Sequence, residues 1–188
     1  MTRRGLALSV SASAIALAIG SVRSGVAYAQ AGDGRDAFSI ASADPRFRTF
    51  TSIVHRSGLE PSARGTQPFT VFMPTEAAFD RYPELRASLL GPASEAFPDT
   101  HALVVFVRAH VLLGLHPTPP LGERKERVMT RVGTMIDIIN TTPPTISWQS
   151  SGGRTGTATL SEAPIIASNA LIYPIDNPIL LVSPSDAQ

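Results

Sequence analysis

Residues 69–79 read Phe69-Thr-Val-Phe-Met-Pro-Thr-Glu-Ala-Ala-Phe79. The first five are mainly aromatic, β-branched or long apolar side chains, and they read as a buried strand. Pro74 ends it, because proline has no N–H to give to a ladder. Thr75 then offers a hydroxyl to cap a short helix expected over Glu76–Tyr82, and Ala78 and Phe79 on that helix pack back on the strand. One strand running through a proline into one capped helix is the local unit from which the rest is read.

On its N-terminal side, residues 44–57 place Phe47, Phe50, Ile53 and Val54 on one helical face. Asp44 is the expected N-cap, Pro45 the first helical residue and Gly58 the stop. On the C-terminal side, Asp99-Thr100 caps a second substantial helix whose buried face carries Leu103, Val104, Phe106 and Val107. His110 to Gly114 turns extended and apolar. Residues 115–125, with Pro117, Pro119, Pro120 and Gly122, form a loop. Short strands are expected at 127–131, 135–140, 145–149, 155–160, 165–166, 171–175 and 179–182, with a turn at 150–154. Helices early and strands late give an α+β class rather than alternating α/β.

The chain has 188 residues, 43% of them hydrophobic and 16% charged, so one packed domain is expected. Its first thirty residues read as an export signal. Arg3 and Arg4 precede an apolar run from Gly5 to Gly20, and Ala27-Tyr28-Ala29 or Ala29-Gln30-Ala31 supplies the small-x-small cleavage pattern. The run is shorter than the roughly 20 residues of a membrane-spanning helix. The expected division is a signal peptide over 1–29 (or cleavage after 31), a single domain over 37–183 and a short tail over 184–188, with no membrane span after cleavage. Removing Arg3, Arg4 and Arg23 leaves 13 basic against 15 acidic residues, a near-neutral balance that speaks against nucleic-acid partners.

Cysteine is absent, which excludes disulfides, thiol catalysis and thiolate zinc sites. No G-x-S-x-G, G-x-x-x-x-G-K, G-x-G-x-x-G or H-E-x-x-H motif occurs. His110 and His116 are six residues apart across a strand-to-loop boundary, a spacing that does not fix two metal ligands on one face. His110, between apolar neighbours, reads as a buried, hydrogen-bonded core histidine. No enzyme activity, cofactor or metal is expected.

The segment Thr70-Val-Phe-Met-Pro-Thr-Glu-Ala-Ala-Phe79 resembles the first signature of the fasciclin domain family. Three more segments follow the family's order. Asp44 to Leu59 is similar to its opening helix, Ala109-His110-Val111 with Gly114 to its tyrosine-histidine segment, and Ser168 to Asp176 with Ile179-Leu180-Leu181 to its closing signature. The resemblance spans about residues 37–183. It implies a fasciclin-like β-sandwich or wedge of about seven strands with several helices at one side. It further implies a secreted or periplasmic, non-enzymatic interaction module for cell-surface or matrix adhesion, with an extracellular or envelope protein or glycan as partner. Some fasciclin proteins bind carotenoids, so the alternative is a carrier of an apolar small molecule, its groove walled by the Leu115–Leu121 loop. The signature residues carried over as structural or contact positions are Thr70, Phe72, Pro74, Thr75, Phe79, His110, Asn169 and Asp176. The sequence departs from the family pattern at Glu76, Ala109, Ala170 and Tyr173. With Ala109 in place of tyrosine, His110 is carried over only as a fold-stabilising residue.

Overall fold

The structure is a computed structural model that describes residues 34–91, 100–118, 125–150 and 153–181. The proposed signal segment, the tail, Asp99 and the middle of the 115–125 loop lie outside the described residues.

Helix α1 (Ala37–Ala43) starts at Asp36, whose carboxylate accepts the Ser39 N–H at 2.8 Å. A 3-10 turn (Pro45–Phe47) and helix α2 (Arg48–Arg56) come next. The single helix expected over 44–57 is thus two elements. Asp44 caps the 3-10 turn by accepting from the Arg46 N–H, and Phe47, at φ −113°, breaks the helical path before α2 begins. Gly58 is the stop. At φ +73° it lets its own N–H reach the His55 carbonyl and the Leu59 N–H reach that of Val54. That closes α2 with a Schellman motif, a left-handed position glycine takes without strain.

After α3 (Glu60–Ala63), strand β1 (Phe69–Pro74) runs into α4 (Glu76–Asp80), with the Thr75 hydroxyl accepting from the Ala78 N–H. Helix α5 (Pro83–Leu90) and helix α6 (Thr100–Ala109) complete the helical layer. The strands after α6 are β2 (Val111–Leu113), β3 (Lys125–Met129), β4 (Met135–Ile139), β5 (Thr145–Gln149), β6 (Thr155–Thr159), β7 (Ile165–Ile166) and β8 (Ala170–Ile175).

The eight described strands form two four-stranded sheets, ordered β2-β1-β8-β7 and β3-β4-β5-β6. The second is an antiparallel meander. The first is mixed, because β1 pairs in parallel with β8 from Phe69↔Ala170 to Pro74↔Ile175. Two isolated bridges, Leu112↔Thr130 and Leu160↔Ile175, join the sheets at their edges and make the wedge.

The first sheet is covered on both faces, which is why β1 and β8 are nearly continuous apolar runs. Val71, Met73 and Ile172 pack with Phe50, Ile53, Phe79, Leu103 and Phe106 of the helices. Phe72, Leu171, Tyr173 and Ile175 face the other way, against Ile136, Ile138, Ile146 and Trp148 of the meander. All six residues of β8 are buried.

Two strand expectations change. The strand expected at 127–131 lies two residues earlier, because Thr130 N–H bonds to the Thr134 carbonyl and closes the β3–β4 turn there. The strand expected at 179–182 is absent over its described residues 179–181. The Ile179 N–H goes to the His110 imidazole and the Leu180 carbonyl accepts from the Trp148 indole, so side chains hold this backbone in place of a ladder. Helices α1, α3 and α5 are elements beyond those expected from the sequence.

Candidate functional site

The eight signature residues are spread over both faces and both ends of β1, the α6–β2 junction and the two ends of β8. At the α6–β2 junction, His110 is fully buried, with Nδ1 2.8 Å from the Phe106 carbonyl and Nε2 2.9 Å from the Ile179 N–H. A neutral ring meets both partners, donating from Nδ1 and accepting at Nε2. Burial pushes the imidazole down to about 4, against the opposing pull of the Phe106 carbonyl. Phe106 lies tilted against His110 with ring centroids 4.6 Å apart, and Phe79 lies 6.1 Å beyond Phe106, so two signature residues share one aromatic cluster. Phe72 lies on the opposite face of β1, in contact with Tyr173. Thr70 donates to the Gly114 carbonyl and accepts from the His116 N–H. Pro74 ends β1 and Thr75 caps α4.

Asn169 sits at the entry to β8 and ties three segments. Its Oδ1 accepts the Ala37 N–H, and its Nδ2 donates to the carbonyls of Ala63 and Gly65. Asp176 lies at the far end of β8, where Oδ1 accepts the Thr159 N–H at 2.7 Å and Asn177 donates to the Thr157 carbonyl. Asp176 and Asn177 thereby occupy backbone groups on the open edge of β6, the edge at which a foreign strand would otherwise add. The polar signature residues therefore hold backbone to backbone, the aromatic ones fill the core, and together they form no shared pocket.

The surface offers two features instead. Leu113, Met129 and Met135 are the large hydrophobic residues left exposed among those described, at 61%, 62% and 46%. Met129 pairs directly with Met135 across β3 and β4. The Leu112↔Thr130 bridge sets Leu113 beside Met129 by antiparallel register. Cross-strand neighbours project to the same face, so the three form one apolar row across the seam of the two sheets. Asp137, two residues along β4, pairs with Arg127 and Lys125, giving the row a charged flank.

The second feature is a cavity of about 440 Å³ between the helices and β1–β2. Phe50, Val54, Val71, Met73 and Val107 line it, Phe38 and Leu59 flank it, and Leu113 stands at one end. None of the eight signature residues reaches it. The described part of the Leu115–Leu121 loop does not wall it either. His116 and Thr118 there are tied to Thr70 and to the Tyr173 hydroxyl, away from the cavity.

A profile of the Fasciclin domain matches residues 45–181. The chain belongs to the fasciclin domain family. It is 29% identical over 142 residues to an uncharacterized protein of Synechocystis sp., a match covering 76% of this chain and 95% of that protein. Its fold is similar to that of a FAS1 domain pair from the insect cell adhesion molecule fasciclin I, with a TM-score of 0.61 and 15% identity, over 78% of this chain and 51% of that one. The chain thus spans about half of the insect pair. Fasciclin domains are generally non-catalytic adhesion modules and typically extracellular.

Two departures of this fasciclin domain from its family pattern have visible partners. Glu76 accepts the Thr49 N–H at 2.6 Å in the first turn of α2 and pairs with Arg86 of α5, so it links β1–α4 to two helices. The Tyr173 hydroxyl accepts from the Thr118 N–H and donates to the His116 carbonyl. The apolar row escaped the sequence reading, although Met129 and Met135 stand symmetrically about a short turn containing Gly133. The cavity left no comparable signal, because its walls come from α1, α2, α3, α6 and β1–β2 at once. Among the described residues, no group of three His, Asp or Glu side chains could hold a metal ion, and no helix is long and apolar enough to cross a membrane.

Proposed function

We propose that this fasciclin domain is a secreted or periplasmic, non-enzymatic interaction module that binds an envelope or matrix protein through the Leu113–Met129–Met135 row. The observation that carries the reading is the concentration of the exposed large hydrophobics on one row. Scattered exposed apolar residues are ordinary on a protein surface, whereas a contiguous set flanked by charge marks a contact surface. The apolar segment before residue 30 and the family's typical setting support export.

The test is capture of solubilised envelope or matrix components by the exported protein, with N-terminal sequencing to define its start at Gln30 or Gly32. Apolar contact predicts saturable capture that survives moderate salt, whereas capture through surface charge alone would be screened away.

The cavity supports a second reading, in which the domain carries an apolar small molecule. Its volume falls within the range of about 300–1,000 Å³ usual for small-molecule sites, and its walls are mainly aliphatic and aromatic. Protein purified from its native host would then release a chromophore or lipid on extraction.

A further inference from the structure

The lining of the cavity is asymmetric in charge. Its ionisable side chains are Arg108, in the last turn of α6, and Arg131, in the β3–β4 turn. Among the described residues, no aspartate or glutamate lines it. Both arginines stand at the β2 end, since the Arg131 N–H bonds to the Val111 carbonyl and Val111 comes two residues after α6. Among the described residues neither guanidinium has an ion-pair or hydrogen-bond partner. Several other arginines of the helical layer are engaged: Arg64 with Asp36 and Glu60, Arg86 with Glu76 and Asp80, and Arg46 with Asp44 and Glu162. The lining also includes Ser62, Gly65 and Gln67, which are polar or small but uncharged.

An apolar chamber with unpaired cations at one mouth fits a ligand built the same way. We infer that the cavity takes a free long-chain fatty acid, its hydrocarbon tail along Val71, Met73, Phe50 and Val54 and its carboxylate at Arg108 and Arg131. Guanidinium presents a planar fork of donors that matches a carboxylate, which a neutral apolar molecule would leave unused. The tail end carries no charge to satisfy. This inference rests on the carrier reading and names its ligand class.

The experiment titrates the full exported protein, stripped of bound lipid, with palmitate and with its neutral methyl ester, and repeats both titrations on Arg108→Gln/Arg131→Gln. Both side chains are exposed, so the double variant is expected to keep the melting temperature of the wild type. The expected result is palmitate bound at least about tenfold more tightly than the ester, the gain of one charge-assisted hydrogen bond, with that preference lost in the double variant. Equal affinity for acid and ester, unchanged by the substitutions, would overturn the carboxylate assignment and leave the carrier reading standing. Binding of neither probe would overturn the fatty-acid assignment, while extraction of protein from its native host decides the carrier reading separately. Association only with vesicles of anionic phospholipid, and not with palmitate, would overturn the free fatty acid in favour of a membrane surface.

Discussion

The Nε2 of His110 accepts the backbone N–H of Ile179 at 2.9 Å, across 69 residues of sequence. The same ring faces the Phe106 carbonyl through Nδ1, so one imidazole fastens the end of α6 to the segment leaving β8. The bond also shows why Ile179 lies outside any strand, since its only N–H is already committed. His110→Ala leaves a donor and an acceptor unpaired in the interior, at about 1–3 kcal/mol for each. Chemical denaturation should show that loss. Any fall in partner capture should track the unfolded fraction. A stable variant that no longer captures its partner would make His110 a contact residue.

The same burial makes stability depend on pH. The folded imidazole protonates only near 4, while the unfolded one does so near 6.5. Above that window both states are neutral and the group contributes nothing further. As pH falls from about 6.5 toward 4, the unfolded chain takes up a proton that the folded chain refuses, and stability drops. At ~1.4 kcal/mol for each pH unit separating the two protonations, the full loss is on the order of 3 kcal/mol. Denaturation midpoints taken between about pH 7.5 and 4.5, which spans most of that window, should slope downward in the wild type and flatten in His110→Gln. An identical slope in both would remove His110 as its source.

Phe72 is fully buried between the sheets, against Tyr173. Phe72→Ala is expected to cost roughly 3–5 kcal/mol, the usual range for a truncated core aromatic. An unchanged denaturation midpoint would show that β1 lies outside the core.

Much of this fold is legible because local chemistry and tertiary environment agree. Thr75 caps α4, Gly58 closes α2, and the alternation of Ile136 and Ile138 with Met135 and Asp137 describes a half-covered sheet. Helix α5 is legible in principle, with Pro83 at its first position and Gly91 just past its end, but its apolar residues form no clear stripe. The parallel pairing of β1 with β8 is not, because nothing local in either strand names a partner on the order of a hundred residues away. The surface row needs the Leu112↔Thr130 bridge, and the cavity needs elements from both halves of the chain. Asp176 shows the intermediate case. A carboxylate at the turn after a strand is suited to accepting a backbone donor, yet the donor here, Thr159, comes from β6.

Gly156 pairs with Trp148 across β5 and β6, and a Cβ added there would meet the indole ring at 2.3 Å. That contact is with a large ring packed in the core, so the tryptophan must move. Gly156→Ala should then break the indole bond to the Leu180 carbonyl and cost about 1–3 kcal/mol by overpacking. Trp148 is the one tryptophan in the chain, so its emission reports on itself. A red-shifted spectrum with a lowered melting temperature is expected. Wild-type emission and stability in the variant would mean that the ring does not lie over Gly156.

The contact role of the apolar row is tested most directly by Met129→Ser/Met135→Ser. Both side chains are exposed and neither lines the 440 Å³ cavity, so the double variant separates surface contact from ligand carriage. The measurement is retention of the envelope or matrix fraction on immobilised protein, with melting temperature recorded for the same preparations. Loss of most of the retention at an unchanged melting temperature is the predicted result. Retention equal to the wild type, from an equally stable protein, would contradict the proposal that this row is the binding surface.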